Sequence, residues 1–430
     1  MSTAVFSPIS ASNRSKIIEN TLSYTLYEGG FPYAKNMILK GIPMKNYQQL
    51  LNENAAWAKD IFEKLDKKFA ATAVRSRDKI PTVADENGIH NDVTETYPND
   101  WTAGFYAGMN YMLYNHTKNE EYLKTARRIE EKMDVALAQY NRLNHDVGFL
   151  WHLMSGASYR LTGDKASRTR EMFAAATLAS RFVLGGDYIR AWDFGDKKTE
   201  NWTIIDCMMN LPLLYFASEE IQDDRFKRIA MAHADNAMRT HIRPDGSVVH
   251  IVEHDRDTGD VVATYGGQGC AVGSSWSRGQ AWALYGFVIS YIHTGEEKYL
   301  DTAKRVAHYF IANCCDDWLP RVDFRAPAEP VYYDSTAGAC AACGLLELAR
   351  LLPEGEGGMY MHAALNLLHA MTDRFANFDV ANDCVLRYGT IRYPAGMSEE
   401  KAGVHVNLIY ADFFYTEAIL KLLGETFFIW

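Results

Sequence analysis

Apolar and polar positions alternate with helical spacing along most of the chain. Segments such as AGFYAGMNYMLYNH from Ala103 and GQAWALYGFVISYIH from Gly279 are apolar over a broad face. Each is followed by a short polar turn and an amphipathic segment, as in TKNEEYLKTARRIEEKM from Thr117 and HTGEEKYLDTAKRVAHYF from His293. The repeated unit is therefore predicted to be a helix, a tight turn and a second helix.

The number and spacing of these units predict a closed ring. A third copy begins at Ile221 and looser copies begin at Leu161 and Gly355, so five or six pairs follow one another without an interruption. Each pair needs an apolar neighbour on both sides, and a ring leaves no pair with an exposed apolar end. Because the spacing is too irregular for a solenoid of identical repeats, we predict an all-α toroid whose long rim loops carry the site.

The chain is expected to form one domain. No Pro/Gly/Ser-rich linker or charge block divides residues 1–430, and residues 1–20 are predicted to be a flexible or loosely packed segment. One rim loop, from about Gly246 to Gly269, alternates polar and apolar residues (SVVHIVEHDRDTGDVVATY) and predicts a small β-hairpin.

Composition narrows the possible partners and the compartment. The 430 residues carry a formal net charge of -10, which disfavours nucleic acid and anionic membranes as partners. The N-terminus lacks the pattern of a signal peptide, and no run is apolar enough to span a membrane, so a cytoplasmic protein is expected. Seven cysteines are then expected to be reduced, and Cys340 and Cys343 are interpreted as helix packing. No metal-ligand or nucleotide-binding motif indicates a cofactor.

Candidate chemistry concentrates where inner helices begin. Aromatic residues, carboxylates and amides occur together around Trp101, His145, Asp146, Asp206 and Trp276. Sugar rings stack on aromatic faces, and two carboxylates can supply acid and base functions. From the pattern alone, Asp206 could equally be a helix cap or a buried core acid, and Asp146 a turn former. Pattern alone thus indicates a helical toroid with a sugar-binding rim.

Several motifs together resemble glycoside hydrolase family 88, the unsaturated glucuronyl hydrolases. They include WTAGF, HDVGF, WTIIDCMMNLPLLY, SWSRGQAWALYGF and YYDSTAGACAACGLLELA, in order from about Trp101 to Ile419. The resemblance implies an (α/α)6 barrel and no cofactor. It also implies hydration of the C4=C5 vinyl ether in the unsaturated uronic acid that polysaccharide lyases leave at a non-reducing end. The implied substrate is a small acidic oligosaccharide, and the implied assembly is a monomer or homodimer.

The resemblance also assigns roles to residues. Asp206 resembles the general acid and base, with a pKa raised by burial, and Asp146 resembles a second essential aspartate. The substrate-binding residues implied are Trp101, Phe105, His145, Trp192, His250, Gln268, Trp276, Arg278, Trp282 and Lys401. Arg278 is expected to supply positive charge for a uronate.

The chain departs from the family pattern at several positions. Gly267 stands where a histidine is usual, and Ala271-Val272-Gly273 replaces a segment with an acidic residue. Sulfate-selective members carry Ser-x-x-Ser-x-Lys where this chain has Gly396, Glu399 and Lys401, so poor activity on sulfated disaccharides is expected.

Three alternatives stay open. An unsaturated rhamnogalacturonyl hydrolase would share the fold and the chemistry. An isomerase similar to N-acylglucosamine epimerase would share the toroid but depend on histidines such as His250. A sugar-binding toroid without activity is the third.

Overall fold

The computed structural model describes residues 46–192 and 199–430. The expectation for residues 1–20 lies outside these ranges. The α-helices are α1 Tyr47–Arg75, α2 Ala103–Thr117, α3 Glu120–Lys132, α4 Asp134–Leu137, α5 Ala157–Thr162, α6 Lys165–Ala179, α7 Pro212–Ile221, α8 Arg225–Thr240, α9 Ser277–Thr294, α10 Glu297–Cys314, α11 Ser335–Leu351, α12 Glu354–Phe375, α13 Glu399–Ala402 and α14 Ile409–Leu422. A 3-10 turn spans Tyr140–Arg142.

Six helical segments form an inner ring. They are α2, a π-helical segment Gly148–Gly156 that runs into α5, a 3-10 helix Ile205–Met209 that leads to α7, α9, α11 and α14. Each packs against the inner segments before and after it, and α14 packs against α2, so the ring closes. The outer ring consists of α1, α3, α6, α8, α10 and α12. The predicted (α/α)6 barrel is confirmed.

The residue pattern explains which helices lie inside. In α9 every residue from Ser277 to Ser290 is buried, because this helix has neighbours on all sides. In α3 the buried residues, among them Tyr122 and Ile129, lie on one face only. Helices that are apolar all round therefore form the inner ring, and helices with one apolar face form the outer ring.

Tight turns join an inner helix to the outer helix that follows it in four pairs, as the repeat predicts. The residues that end α2, α5, α7 and α9 all adopt left-handed backbone conformations: Lys118, Gly163, Gln222 and Gly295. Asn119 and Asp164 then cap the following helices with their side-chain oxygens. Each pair can therefore reverse direction within a few residues, which leaves the long loops at the opposite rim.

Short strands lie in the long loops. They are β1 Val83–Ala84, β2 Phe182–Val183, β3 Tyr188–Ile189, β4 Trp202–Ile204, β5 Ile251–His254, β6 Val261–Tyr265 and β7 Asn407–Leu408. All pairings are antiparallel: β1 with β7, β2 with β3, and β4 with β5 and β6 in one sheet. The predicted hairpin is β5–β6, and β4 adds a third strand that leads directly into the turn bearing Asp206.

The structure bears on what the sequence predicts about the cysteines and about membrane-spanning helices. Cys340 and Cys343 are buried in α11 and all seven cysteines are free, which agrees with helix packing. Within the described ranges, no helix combines the length and apolar character needed to cross a membrane.

Candidate active site

The N-terminal ends of the inner helices meet at one end of the barrel. The ring of Trp101, before α2, lies 4.8 Å from that of Tyr410 in α14 and 5.5 Å from that of Phe149. The guanidinium of Arg278, in α9, bonds to Asp334, the N-cap of α11. We call this end, where the residues before and within the first turns of the inner helices meet, the site end.

Asp206 lies in the 3-10 helix after β4, with 16% of its side chain exposed. His250 precedes β5, and its Nδ1 accepts a hydrogen bond from the Gln268 N–H at 3.0 Å. The proton of the neutral imidazole ring must therefore reside on Nε2, 3.4 Å from Asp206 Oδ1. Trp276 packs on the same imidazole, with ring centroids 4.4 Å apart. These contacts hold a donor near Asp206.

The pKa of Asp206 is shifted in the opposite direction to the one expected. Burial alone would raise it, but hydrogen bonding by His250 and the electrostatic effects of His250, His145 and Arg278 outweigh burial and lower the pKa below its usual value. The expectation of a raised pKa for Asp206 is therefore wrong for the free protein. The reason is the histidine from another part of the chain, which no local pattern around Asp206 could reveal.

Asp146 carries the raised pKa instead. Its backbone N–H donates to Asn144 Oδ1 at 2.7 Å, and its Oδ1 lies 3.6 Å from His145 Nε2. Burial, and then the negative charge of Asp206, raise the pKa of Asp146 well above its usual value. The two aspartates therefore favour a state in which Asp146 is protonated and Asp206 is ionised.

His145 lies beside Asp146 and interacts electrostatically with Asp206, and it is neutral. Burial lowers the pKa of His145 to about 3, although the charge of Asp206 opposes this shift. Its ring meets the Trp192 ring edge to face at 6.4 Å, and Trp192 is half-buried at the border of the described residues. His145 and Trp192 thus both lie beside the aspartate pair.

Arg278 is fully buried beneath the site, with 0% exposure. Its Nη1 donates to Asp334 Oδ2 at 2.6 Å and to the Thr390 carbonyl, and its Nη2 donates to the Ile391 carbonyl. The guanidinium also packs on Trp276, 4.5 Å from the ring centroid. The charge of Arg278 is therefore paired with Asp334, and its Nε–H lacks an acceptor among the described residues.

The expected aromatic lining divides into two groups. Trp101 is half-buried and borders the site end, whereas Phe105 and Trp282 have 0% exposure and lie in the core beneath it. Trp276 is also almost fully buried, against His250 and Arg278. Phe105 and Trp282 therefore support the lining rather than present a surface to a ligand.

The segment bearing Lys401 packs over the Gln268 turn. The Tyr393 N–H donates to the Gln268 carbonyl at 2.9 Å, and Gln268 Nε2 donates to the Ile391 carbonyl. Lys401 is exposed on the short helix α13, beside Glu399, which accepts a hydrogen bond from Tyr332 at 2.9 Å. Lys401 is thus an exposed residue, and its predicted contact with substrate stays a prediction.

The structure explains one departure from the family pattern. Gly267 has φ +60, and a Cβ there would lie 2.1 Å from His250 Nδ1, so only glycine fits beside this imidazole. The replaced acidic segment lies in an exposed loop, where Val272 is 70% exposed.

Sequence reasoning missed three residues that shape the site. Asp334 holds Arg278, Tyr410 packs on Trp101 and Arg278, and Asn210 bonds to both aspartate segments. Asp334 was visible only as a helix cap before STAGAC, and Asn210 only as the end of the IIDCMMN motif. Their partners are distant in sequence, so no local signal identifies these contacts.

A helical barrel with one buried and one partly exposed carboxylate beside aromatic side chains at one end is an arrangement suited to binding and processing a carbohydrate. The profile of Glycosyl Hydrolase Family 88 matches residues 72–320. The chain belongs to this family, and it is a glycoside hydrolase acting on a small saccharide substrate. The isomerase and the non-catalytic alternative are therefore wrong.

Individual relatives agree with the family match. The chain is 35% identical to an unsaturated glucuronyl hydrolase of Bacillus sp. (strain GL1) over 353 residues, 80% of this chain and 91% of the relative. It is 29% identical to an unsaturated chondroitin disaccharide hydrolase of Streptococcus pneumoniae, over 82% of this chain and 89% of the relative. The crystal structure of the unsaturated glucuronyl hydrolase from Bacillus sp. GL1 superimposes with a TM-score of 0.77 at 34% identity, covering 84% of this chain and 96% of that one.

Proposed function

We propose that this protein removes the 4,5-unsaturated uronic acid from the non-reducing end of lyase-generated oligosaccharides by hydrating its C4=C5 vinyl ether. Asp206 is the general acid and base, and Asp146 assists it. The observation that carries the proposal is the pair of aspartates at the site end, with Asp146 buried and Asp206 partly exposed, one with a raised and one with a lowered pKa, in a family 88 barrel. Relatives named for unsaturated uronide substrates support it.

An unpartnered donor beside the pair favours a substrate rich in acceptors. Trp276 Nε1, next to His250, is a buried N–H group without an acceptor among the described residues. A buried donor without an acceptor costs free energy, and a uronate carboxylate or sugar hydroxyl could supply one. The local positive potential from Arg278 would also offset the net charge of -10 that opposes a uronate at long range.

The proposed reaction adds one water molecule across the double bond. Asp206 gives its proton to C4, and the hydroxyl of a water molecule bonds to C5 while the other proton of that water passes to Asp206. The hemiketal at C5 then opens, so that C5 becomes a ketone. The bond between C5 and the ring oxygen breaks, and this oxygen stays on C1. The bond between C1 and the glycosidic oxygen then breaks, and the shortened sugar leaves. Asp206 ends protonated, as it began.

Asp206 must acquire a proton before it can donate one, because its pKa is lowered in the free protein. Asp146 is the natural source, since its pKa is raised and its charge state is coupled to that of Asp206. The carboxylate of an arriving uronate adds negative charge, which would raise the pKa of Asp206 and favour transfer of the proton to it. Binding of the substrate thereby favours the protonated form of Asp206, which then donates its proton to C4.

The remaining proposals concern context. We place the catalytic barrel in one domain, with an acidic disaccharide or short oligosaccharide as substrate. We propose a cytoplasmic location, and a monomer or homodimer as the assembly. Phe105, Trp282 and Arg278 act from beneath the site, while Trp101, Trp192, His145, His250, Gln268 and Trp276 surround the reacting sugar.

The test is loss of the ultraviolet absorbance of the conjugated double bond, with unsaturated hyaluronan and chondroitin disaccharides as substrates. We expect loss with the parent protein and a decrease in kcat of about 10²–10⁴-fold for Asp206→Asn. Circular dichroism checks that both proteins are folded. No loss with any unsaturated uronide, or full activity in Asp206→Asn, would overturn the proposal.

A further inference from the structure

Asn210 lies where the two aspartate-bearing segments cross. It follows the 3-10 helix Ile205–Met209 that holds Asp206, and its side chain has 0% exposure. Its neighbour is the start of the π-helical segment Gly148–Gly156, two residues after Asp146. A buried primary amide requires partners for both its oxygen and its nitrogen, so the contacts of Asn210 define its role.

The oxygen of this amide caps the π-helical segment. The first N–H groups of a helix have no acceptor within the helix. Phe149 is the second residue of the segment, and its backbone N–H donates to Asn210 Oδ1 at 2.8 Å. Asn210 therefore fixes the start of the helix that Asp146 precedes.

The nitrogen of the same amide holds the other aspartate. Asn210 Nδ2 donates to the backbone carbonyl of Asp206 at 3.3 Å. One side chain thus bonds to the main chain of both segments, although the segments are distant in sequence.

The two backbones also approach unusually closely at this point. A Cβ built on Gly148 would lie 2.7 Å from the Asn210 Cα, so a larger residue would push the segments apart. The glycine permits the close approach, and the Asn210 amide holds it.

We infer that Asn210 is a positioning residue that sets the separation between the carboxyl groups of Asp146 and Asp206. This inference rests on the proposed function, because the separation matters only if the pair performs the reaction. Asn210 itself does not need to touch the substrate. It acts through the backbone of Phe149 and Asp206.

The separation governs how the pair shares a proton. The charge of Asp206 helps to raise the pKa of Asp146, and this effect weakens as the carboxyl groups move apart. Losing the Asn210 amide should therefore lower the higher pKa of the pair. The other titratable or charged groups that interact with the pair are His145, His250, His241, Asp100, Arg181, Arg278, Tyr97, Tyr410 and Cys207. None of them is altered by substituting Asn210.

The test compares Asn210→Ala and Asn210→Ser with the control Asn110→Ala. Asn110 is also a buried asparagine, at 1% exposure, but its Nδ2 donates at 2.7 Å to Tyr106 within its own helix. For each protein, kcat, KM and the pH dependence of kcat are measured on an unsaturated disaccharide, together with the melting temperature. If the alanine variant does not fold, the serine variant is used, because its hydroxyl fits the same space and bonds to only one segment.

We expect kcat to fall at least about tenfold in Asn210→Ala, with KM changed less than threefold and the alkaline limb of the pH profile moved to lower pH. Asn110→Ala should lose stability but keep kcat and the profile. Parent-like kcat and pH profile in the Asn210 variants would overturn the inference, as would equal losses of kcat in the control. Inactivity of the parent would instead contradict the proposed function, so the two failures are distinguishable.

Discussion

The two ends of the barrel differ in whether their buried polar groups have hydrogen-bond partners. At the site end, His145 Nδ1, Trp276 Nε1 and Arg278 Nε are buried without a hydrogen-bond partner among the described residues. At the other end, which we call the closed end and define by Tyr285, Glu417, Lys421 and Trp430, the buried polar groups bond to one another. The site end therefore resembles a binding surface, and the closed end resembles a core.

The closed end is built around Glu417 and Trp430. Both carboxylate oxygens of Glu417 accept from Trp430 Nε1 at 3.1 Å, Tyr285 donates to Oε1, and Lys421 Nζ lies 3.2 Å away. The Trp430 ring stacks on Phe414 with centroids 5.8 Å apart. The C-terminal segment thus fills the centre of the inner ring at this end.

The comparison separates stability from function. Buried groups whose partners are all protein contribute to stability, and removing one leaves the others uncompensated. Buried groups without partners reduce stability, and an active site retains them because the substrate or the reaction uses them. Substitutions at the two ends should therefore have opposite effects on activity and on melting temperature.

After Asp206→Asn, the largest effect is expected for Asp146→Asn at the site end. We predict a decrease in kcat of about 10²–10³-fold, since Asp146 holds the proton that Asp206 needs. The melting temperature should be unchanged or higher at pH 8, because a buried carboxyl with a raised pKa is costly to ionise there, and asparagine is not. Steady-state kinetics and thermal unfolding check this. An active variant with a lower melting temperature would contradict it.

The reverse outcome is expected for Glu417→Ala at the closed end. Loss of this carboxylate leaves Lys421 and Trp430 without a shared partner, and we expect a destabilisation of about 3–5 kcal/mol. The kcat per folded molecule should stay within about twofold. Denaturant unfolding with activity at low denaturant measures both quantities. Asp60→Asn, which removes an exposed ion pair with Lys64, is the control and should change neither.

A smaller effect is expected from Glu171, in the barrel wall between the two ends. Glu171 Oε1 lies 2.6 Å from His152 Nδ1, and burial raises the pKa of Glu171 to about 8. The contribution of Glu171 to the free energy of unfolding is fully present below the pKa that this carboxyl has in the unfolded chain. It is lost as the pH rises toward 8. We expect Glu171→Gln to remove this loss, so that its melting temperature falls a few degrees less than that of the parent between pH 5 and 8. Parallel curves would contradict the assignment.

The smallest effect concerns sulfate at the rim. Glu399 adds negative charge at a position where the resemblance implies serine in sulfate-selective members, so we predict that the parent turns over sulfated chondroitin disaccharide more slowly than unsulfated. Glu399→Ala should raise the ratio of sulfated to unsulfated rates by about two- to fivefold. Glu400→Ala, also exposed on α13, is the matched control. A parent that prefers the sulfated substrate would contradict this prediction.

Local pattern predicted the elements, and long-range contacts determined the rest. Helical spacing and polar turns predicted the helix pairs, and alternation predicted the β5–β6 hairpin. The π-helical segment Gly148–Gly156, the third strand β4 and the burial of Trp430 had no local signal, because each depends on partners elsewhere in the chain.

The same limit applied to the candidate site. Asp206 and Asp146 stood out because carboxylates are unusual in apolar or turn-rich segments beside aromatic residues. The direction of the Asp206 pKa shift depends on His250, and the pairing of Arg278 depends on Asp334, which is distant in sequence. Residue types were therefore predictable, whereas protonation and exposure were not.

The central claim is that water adds to the double bond rather than to C1. The most direct measurement follows absorbance loss and release of reducing sugar in the same sample of unsaturated disaccharide. We predict that one double bond is lost for each sugar released, and that the loss of absorbance never lags behind the release of sugar. Release of sugar while the absorbance persists would show attack at C1, and would contradict the account.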